Sequence, residues 1–304
     1  MIKGKRVLIT GGKGFIGSAL AERLTPDNDV VCFDLSTGSN ILNKEQLMSS
    51  VIKSQVVIHT AARVGVDKVL EDTIGTLQVN YTGTDNLLRS VLLVGCERII
   101  SFSTSEIFGV GSDKVGEHGT PTFPDATDPR WCYGIGKLAA EHLALGYYKQ
   151  YGLPITIVRP FNVFGEDRTG DYALLRFIQS ALKGEDLVVY GDGSQVRAWC
   201  HIDDFCDGVL AMLGTEAAIG KAFNIGNPVN VISVKDLAGE VIRLCQSRSK
   251  IMFKPLPFTD IDIRIPDITL ARNVLGFKPK IGLEEGLRRT IEWVRGKDKG
   301  GTVV

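Results

Sequence analysis

Tyr133 and Lys137 bracket the short run "YGIGK". Residues i and i+4 share one face of a helix, so the spacing predicts a helix that presents both groups together. A lysine ammonium beside a phenol stabilises the phenolate and lowers its pKa from about 10. Tyr133 then suits the role of general base towards a hydroxyl near neutral pH. On its own the pair is a common accident of exposed helices. It acquires meaning beside "STSEIFG", residues 103–109, which follows the apolar run "ERIISF". Ligands of open α/β sheets sit beyond the carboxyl ends of the strands. Ser103, Thr104, Ser105 and Glu106 fall there.

A second set of residues has the chemistry of nucleotide binding. "TGGKGFIG" follows the predicted strand "RVLIT" (6–10) and opens a predicted helix. Gly11, Gly14 and Gly17 have the spacing that permits a tight turn, close approach of backbone to a pyrophosphate, and close helix–sheet packing. The helix N-terminus adds free N–H groups and a positive dipole end. Asp34 ends the next predicted strand, about 20 residues on, where a carboxylate accepts from a ribose 2′-OH. It repels a 2′-phosphate, so NAD is expected over NADP. Lys13, in the same loop, is the one basic group that argues the other way. The plain alternative for Asp34 is a strand-end cap.

The elements that must position these groups read as strands at 6–10, 29–34, 55–61, 98–104 and 153–160. Helical spacing lies between them, to about Leu24, over 76–94 and over 133–151. Alternation of this kind predicts an α/β, Rossmann-type doubly wound parallel sheet covered on both faces. After Gly165 it gives way to loops, isolated helices and short strands such as "LVVY" (187–190). The expected division is residues 1–165 plus about 197–235 for NAD, and about 166–196 plus 236–304 for a smaller, discontinuous substrate lobe. The tail "RGKDKGGTVV" is expected to be flexible.

Bulk composition narrows the partners. Lys+Arg and Asp+Glu both number 35, so net charge is zero and no basic groove for nucleic acid or polybasic membrane surface is expected. No apolar run approaches the roughly 20 residues of a spanning helix. "MIKGKRVLITGG" lacks the apolar core of an export signal, so a cytoplasmic protein is expected. The six cysteines form no metal-like spacing and read as reduced thiols; no metal is expected. Cys132 reads as a packing residue. His59 and His201 read as satisfied structural histidines.

Taken together, the motifs resemble the extended short-chain dehydrogenase/reductases, in the group of NAD-dependent nucleotide-sugar epimerases, dehydratases and decarboxylases. The resemblance spans nearly the whole chain: "TGGKGFIG", "VVIHTAA" (56–62), "VNYTGTDNLL" (79–88), "STSEIFG", "YGIGK", "RPFNVFG" (159–165), "VYGDGSQVRAWCHIDD" (189–204) and "RIPDITLARNVLGFKP" (264–279). It implies that Tyr133 takes a proton from a sugar 4-hydroxyl while C4 gives hydride to NAD. It implies that Thr104 bonds the same hydroxyl, and that Lys137 holds the nicotinamide ribose. Gly11, Gly14, Phe15, Ile16, Gly17, Asp34, Asn40, Ile41, Ala61, Ala62 and Asn80 match cofactor positions. Asn40 stands where relatives tend to carry an acidic residue. Asn162, Arg176, Tyr190, Arg197 and Arg264 match substrate positions, and a neutral protein needs such local donors for two phosphates. The plain alternatives are surface ion pairs, Arg197 with Asp203 or Asp204 and Arg264 with Asp267. Helices 76–94 and 133–151 carry apolar stripes; in relatives these helices pair across a two-fold axis into a four-helix bundle, so the resemblance implies a homodimer, while an ordinary core-facing stripe would look the same.

The family leaves the reaction open. Dehydratases carry Asp-Glu after the threonine; this chain has Ser105, a poor acid for eliminating water. Thr-Ser-Glu, with Arg-Trp ahead of Tyr133, resembles UDP-glucuronate decarboxylases. In that chemistry oxidation at C4 makes a β-keto acid, which loses CO₂ through an enolate that Tyr133 and the hydroxyls can stabilise. "YALLRFIQSAL" (172–182) and the short loop 165–171 instead resemble UDP-sugar 4-epimerases. Glu106 is assigned to the catalytic set, with repulsion of a substrate carboxylate, its orientation, or placement of a water as open roles. A silent nucleotide-binding regulator on the same fold would be expected to lack a member of Thr104, Tyr133 and Lys137.

Overall fold

A computed structural model describes residues 2–170 and 172–298. The first half alternates strands β1 (Arg6–Thr10), β2 (Asp29–Phe33), β3 (Val56–His59), β4 (Arg98–Phe102) and β5 (Ile155–Pro160) with helices. These helices are α1 (Phe15–Leu24), α2 (Lys44–Val51), α3 (Val66–Glu71), α4 (Thr73–Leu77), α5 (Gly83–Val94) and α6 (Cys132–Tyr151). Short strands β6 (Val163–Phe164), β7 (Leu187–Tyr190), β8 (Val196–Ala198) and β9 (Cys200–His201) follow, with α7 (Ala173–Lys183) and α8 (Ile202–Leu213). The remainder is β10 (Ala222–Ile225), β11 (Val231–Ser233), α9 (Val234–Cys245), β12 (Ile251–Lys254), β13 (Ile263–Arg264), α10 (Thr269–Leu275) and α11 (Leu283–Asp298).

The main sheet has six strands in the order β10-β5-β4-β3-β1-β2. Every pairing in it is parallel. This is the expected doubly wound α/β architecture. Strand side chains alternate between faces, and the sheet is apolar on both. Val7, Ile9, Ile58, Ile100 and Val158 join one core with Phe205 and Val209 of α8. Leu8, Val57, Ile99, Ile155 and Ile157 join the other with Leu87 and Val91 of α5 and Ala144 of α6. A separate core gathers α7, α9 and α11 around β7. Three strands in the order β11-β8-β13 bring Arg197 and Arg264 side by side, in register.

Two expected elements differ in detail. The helix read over 76–94 begins at Thr73 and is interrupted by a π-helical segment, Gln78–Thr82. Apolar periodicity carries no mark of such a bulge, which frequently accompanies a functional site. Of the tail read as flexible, residues 295–298 continue α11; residues 299–304 lie outside the described residues. All six cysteines are free, four of them buried. Among the described residues no helix is long and apolar enough to cross a membrane.

One buried ion pair sets the place of α6. Arg159 of β5 donates to both carboxylate oxygens of Glu141, Nε to Oε1 at 2.9 Å and Nη2 to Oε2 at 2.6 Å. Its Nη1 donates to the Glu117 carbonyl at 2.8 Å, and the guanidinium lies 5.2 Å from the Phe108 ring centre. The side chains of Arg159 and Glu141 are only 8% and 5% exposed, so loss of one partner strands a charge away from water. Glu141→Ala is expected to cost about 3–5 kcal/mol in urea unfolding, and Glu141→Leu with Arg159→Met to recover most of that.

Candidate active site

The nucleotide loop is held by contacts that exclude side chains. Gly11 has φ +72, and a Cβ there would lie 2.7 Å from the Ala61 nitrogen. A Cβ on Gly17 would lie 2.2 Å from the Gly11 carbonyl oxygen, so α1 packs on the turn before it. Gly14 is exposed and caps α1 without a side-chain acceptor. The first-turn N–H groups, with Phe15 and Ile16, therefore face outward ready for an anion. Asp34 Oδ2 accepts from the Lys13 N–H at 3.0 Å, while Oδ1 accepts from the Ser36 N–H and hydroxyl at 2.9 and 2.8 Å. Burial pushes its carboxyl up, but these bonds and the Lys13 charge outweigh it and hold the pKa low. Asp34 thus caps the following turn and still presents a fixed carboxylate at the strand end. This cradle fits a dinucleotide.

Other expected cofactor residues line the loops that follow. Asn80 is buried in the π-helical segment, and its side chain does not aim outward. Its Oδ1 accepts from the Arg63 N–H and its Nδ2 donates to the Arg63 carbonyl, both at 3.0 Å. It pins the loop that carries Ala61 and Ala62. Ile41 is buried against Gly83. Asn40 is exposed, with Oδ1 accepting from the Leu42 N–H at 2.9 Å.

Thr104 and Tyr133 come together as expected. Thr104 caps a 3₁₀ turn, Ser105–Phe108; its hydroxyl accepts from the Glu106 N–H at 3.2 Å and hydrogen-bonds the Tyr133 phenol. Ser105 is buried in this turn, and Ser103 Oγ is buried with no partner among the described residues. Gly134 makes the join possible: a Cβ there would lie 2.6 Å from the Glu106 carbonyl oxygen.

The expected lowering of the Tyr133 pKa is overturned. Burial, then the Glu106 carboxylate, raise it well above 10, against the Thr104 bond and Arg264. Lys137 is itself buried, and burial pulls its ammonium down to about 8 despite Glu141. Its charge is felt by His59, which burial and then Lys137 lower to about 3. The Thr84 hydroxyl donates to the Asn80 carbonyl at 2.7 Å, so His59 Nε2 must donate to Thr84 at 2.9 Å, and Nδ1 accepts from Thr10 at 2.7 Å. His201 is equally occupied, with Nδ1 accepting from the Asp203 N–H at 3.2 Å and Nε2 meeting Glu166 at 2.9 Å. Both histidines are structural, as expected.

Glu106 is gripped by two arginines. Arg130 Nη1 lies 2.8 Å from Oε2 and Arg264 Nη2 lies 3.5 Å from Oε1. Burial would raise the Glu106 carboxyl, but Arg264 and Arg130 outweigh it and keep the pKa low. Arg264 therefore pairs with Glu106, while Asp267 bonds Thr269 at 2.6 Å. Arg197 pairs with neither Asp203 nor Asp204 but with Asp260 at 3.0 Å. Burial, then the nearby Arg264, bring Arg197 down to about 10. Asn162, at φ +37, donates to the Ala198 carbonyl at 3.1 Å, next to Arg197. Arg176 and Tyr190 meet each other, the guanidinium 6.0 Å from the ring centre. Arg130 and Asp260 were missing from the sequence-based site. The first has a signal in the sequence, an arginine just ahead of Tyr133; the second, in "PLPFTDID", has none.

Residues 7–226 match the model of the NAD dependent epimerase/dehydratase family. The chain belongs to this family. It is an enzyme of the NAD-dependent nucleotide-sugar decarboxylase and epimerase type. It is 36% identical to UDP-N-acetyl-alpha-D-glucosaminuronate decarboxylase of Bacillus cytotoxicus, over 96% of this chain and 98% of that protein. It is 33% identical to UDP-glucuronic acid decarboxylase 1 of Danio rerio, over 95% of this chain and 72% of that one. Among solved structures it resembles UDP-glucuronic acid 4-epimerase from Bacillus cereus in complex with UDP-glucuronic acid and NAD. There the TM-score is 0.89 at 28% identity, covering 96% of this chain and 99% of that one.

The buried lysine generates a pH prediction. Lys137 ordinarily titrates at 10.5 and is held at about 8 in the fold. Between those values the unfolded chain binds the extra proton, so stability rises with pH there and its cost is fully present below about pH 8. Lys137→Met is expected to raise the melting temperature of nucleotide-free protein at pH 7 and to abolish that rise, read from thermal melts across pH.

Proposed function

We propose that this family member is a UDP-uronate decarboxylase working through a 4-keto sugar. The observation that carries the reading is the ionised Glu106 carboxylate, held by Arg130 and Arg264 beside the Thr104–Tyr133 pair. A fixed negative charge at the sugar disfavours a substrate carboxylate and is relieved when that group departs as neutral CO₂. NAD, when bound, would supply the hydride acceptor and donor, and its oxidised ring the positive charge that favours ionisation of the Tyr133 phenol. Gly11, Gly14, Gly17, Phe15, Ile16 and Asp34 would hold it, with Ala61, Ala62 and Lys137 along its length.

In this reading Tyr133 exchanges a proton with the sugar 4-hydroxyl and Thr104 orients that hydroxyl. The 4-keto uronate is a β-keto acid, and the donors at its carbonyl oxygen stabilise the enolate left by CO₂ loss. Ser105 leaves the site without the acid that dehydration needs. Arg176 and Tyr190, in the lobe of about 166–196 plus 236–304, form the nucleotide-diphosphate end together with Asn162 and Arg197 at the edge of the cofactor domain. Residues 1–165 plus about 197–235 serve the cofactor. Six free thiols suit a cytoplasmic setting.

The second reading is a UDP-sugar 4-epimerase, favoured by the likeness to the epimerase structure and by "YALLRFIQSAL" on α7. Mass spectrometry separates the two. The purified protein with NAD is expected to convert UDP-glucuronate or its N-acetylglucosamine counterpart to a product lighter by one CO₂. An isomer of unchanged mass would establish epimerisation instead.

We also propose a homodimer through the α5 and α6 faces. Leu92, Leu93, Val94, Tyr148 and Tyr151 are exposed there. Such a patch on a monomer marks an interaction surface. Sedimentation is expected to find a dimer, and Leu93→Glu a monomer.

A further inference from the structure

The two counter-ions of Glu106 are not equivalent. Arg130 makes a charge-assisted hydrogen bond at 2.8 Å, whereas Arg264 stands off at 3.5 Å. The Arg130 side chain is 3% exposed. Its backbone N–H donates to Asp128 Oδ1 at 2.9 Å, and its guanidinium lies 5.2 Å from the Trp131 ring centre. The backbone at Arg130 is therefore pinned and its guanidinium packed on Trp131, with Glu106 as its hydrogen-bond partner among the described residues. Its segment, Pro129–Trp131, runs directly into α6, which begins with Cys132 and Tyr133. The anchor of the carboxylate and the reacting phenol thus ride on one rigid piece of chain.

We propose that Arg130 is a positioning residue, which fixes where the Glu106 carboxylate points relative to the Tyr133 phenol. The proposal rests on the reading of Glu106 as part of the reacting site. The charges around Glu106 come from several elements: Arg130 ahead of α6, Arg264 on β13, Arg197 on β8, and the Tyr133 phenol on α6. Asp260 lies against Arg197 and also acts on Arg130. Arg264 acts on Glu106 through its charge, which is at least as strongly felt, but at 3.5 Å it makes no hydrogen bond and so sets no direction. A planar guanidinium sets both the direction and the charge of its partner; an ammonium sets only the charge. A purely structural Arg130, packing on Trp131, would affect melting but not Glu106.

Carbon-13 NMR of glutamate-labelled protein tests this, with Glu106→Gln identifying the resonance. In Arg130→Met the midpoint of the Glu106 titration is expected to rise by about 1–3 pH units. With UDP-glucuronate or its N-acetylglucosamine counterpart, whichever the wild type turns over, kcat is expected to fall about a hundredfold while KM changes less than about threefold. Adding Glu106→Gln to Arg130→Met is expected to cost nothing further, because the two residues act as a unit. An unmoved Glu106 midpoint, or losses that add, would overturn the proposal. Arg130→Lys keeps the charge and serves as well should the methionine variant not fold. A large fall in kcat with the midpoint retained supports positioning, and a wild-type rate overturns it. The titration needs no substrate, so a wild-type enzyme that releases no CO₂ removes the decarboxylase reading while the titration still judges Arg130.

Discussion

The bidentate contact between Arg159 and Glu141 is the constraint on which the reacting end depends. It joins the end of a central strand to the third turn of α6, where both side chains are nearly excluded from water. Through it the sheet dictates the height and rotation of the helix that presents Tyr133 and Lys137. The same guanidinium reaches the Glu117 carbonyl and the Phe108 ring, so the turn carrying Glu106 is referenced to the same point. Helix, strand and turn therefore share one anchor. An apolar contact of similar area would be as favourable, but it would not fix a direction.

Around that anchor the site is built from charges that offset one another. Arg130, Arg197 and Arg264 converge, and Glu106 and Asp260 answer them. A protein of zero net charge thereby gathers a local cationic cluster while keeping one fixed anion beside Tyr133. The phenol belongs to this field more than to its lysine. Its proton is held by burial and by Glu106, so ionisation awaits the positive charge and the hydroxyl that ligands bring.

Much of this was legible before any coordinates. Strands such as "RVLIT" and "RIISF" are buried on both faces and so read as unbroken apolar runs. The glycine spacing and Asp34 are local features whose geometry follows from chain direction alone. Tyr133 with Lys137 and Thr104 were also readable, because helix spacing and a strand end place them. The rest depends on residues far apart in the chain. Arg264 meets Glu106, and Arg197 meets Asp260, only after β13 and the loop before it fold back onto β8. Nearby aspartates made the wrong partners look natural. The direction of the Tyr133 shift could not be read either, since it turns on how deeply the hydroxyl sits. The π-helical segment leaves no trace in apolar periodicity.

That segment has a consequence for how long a ligand stays. Asn80 spends both ends of its amide on the Arg63 backbone, so the loop after β3 is set before any cofactor arrives. Gly11 and Thr60 lock the turn on its other side, the threonine hydroxyl donating to the Gly11 carbonyl at 3.1 Å. Little ordering remains to oppose association, and affinity gained in this way appears mainly as slow departure. Slow departure suits the proposed cycle, in which the hydride taken in one half is returned in the other. A coenzyme that leaves only rarely acts as a fixture of the protein, not as a second substrate.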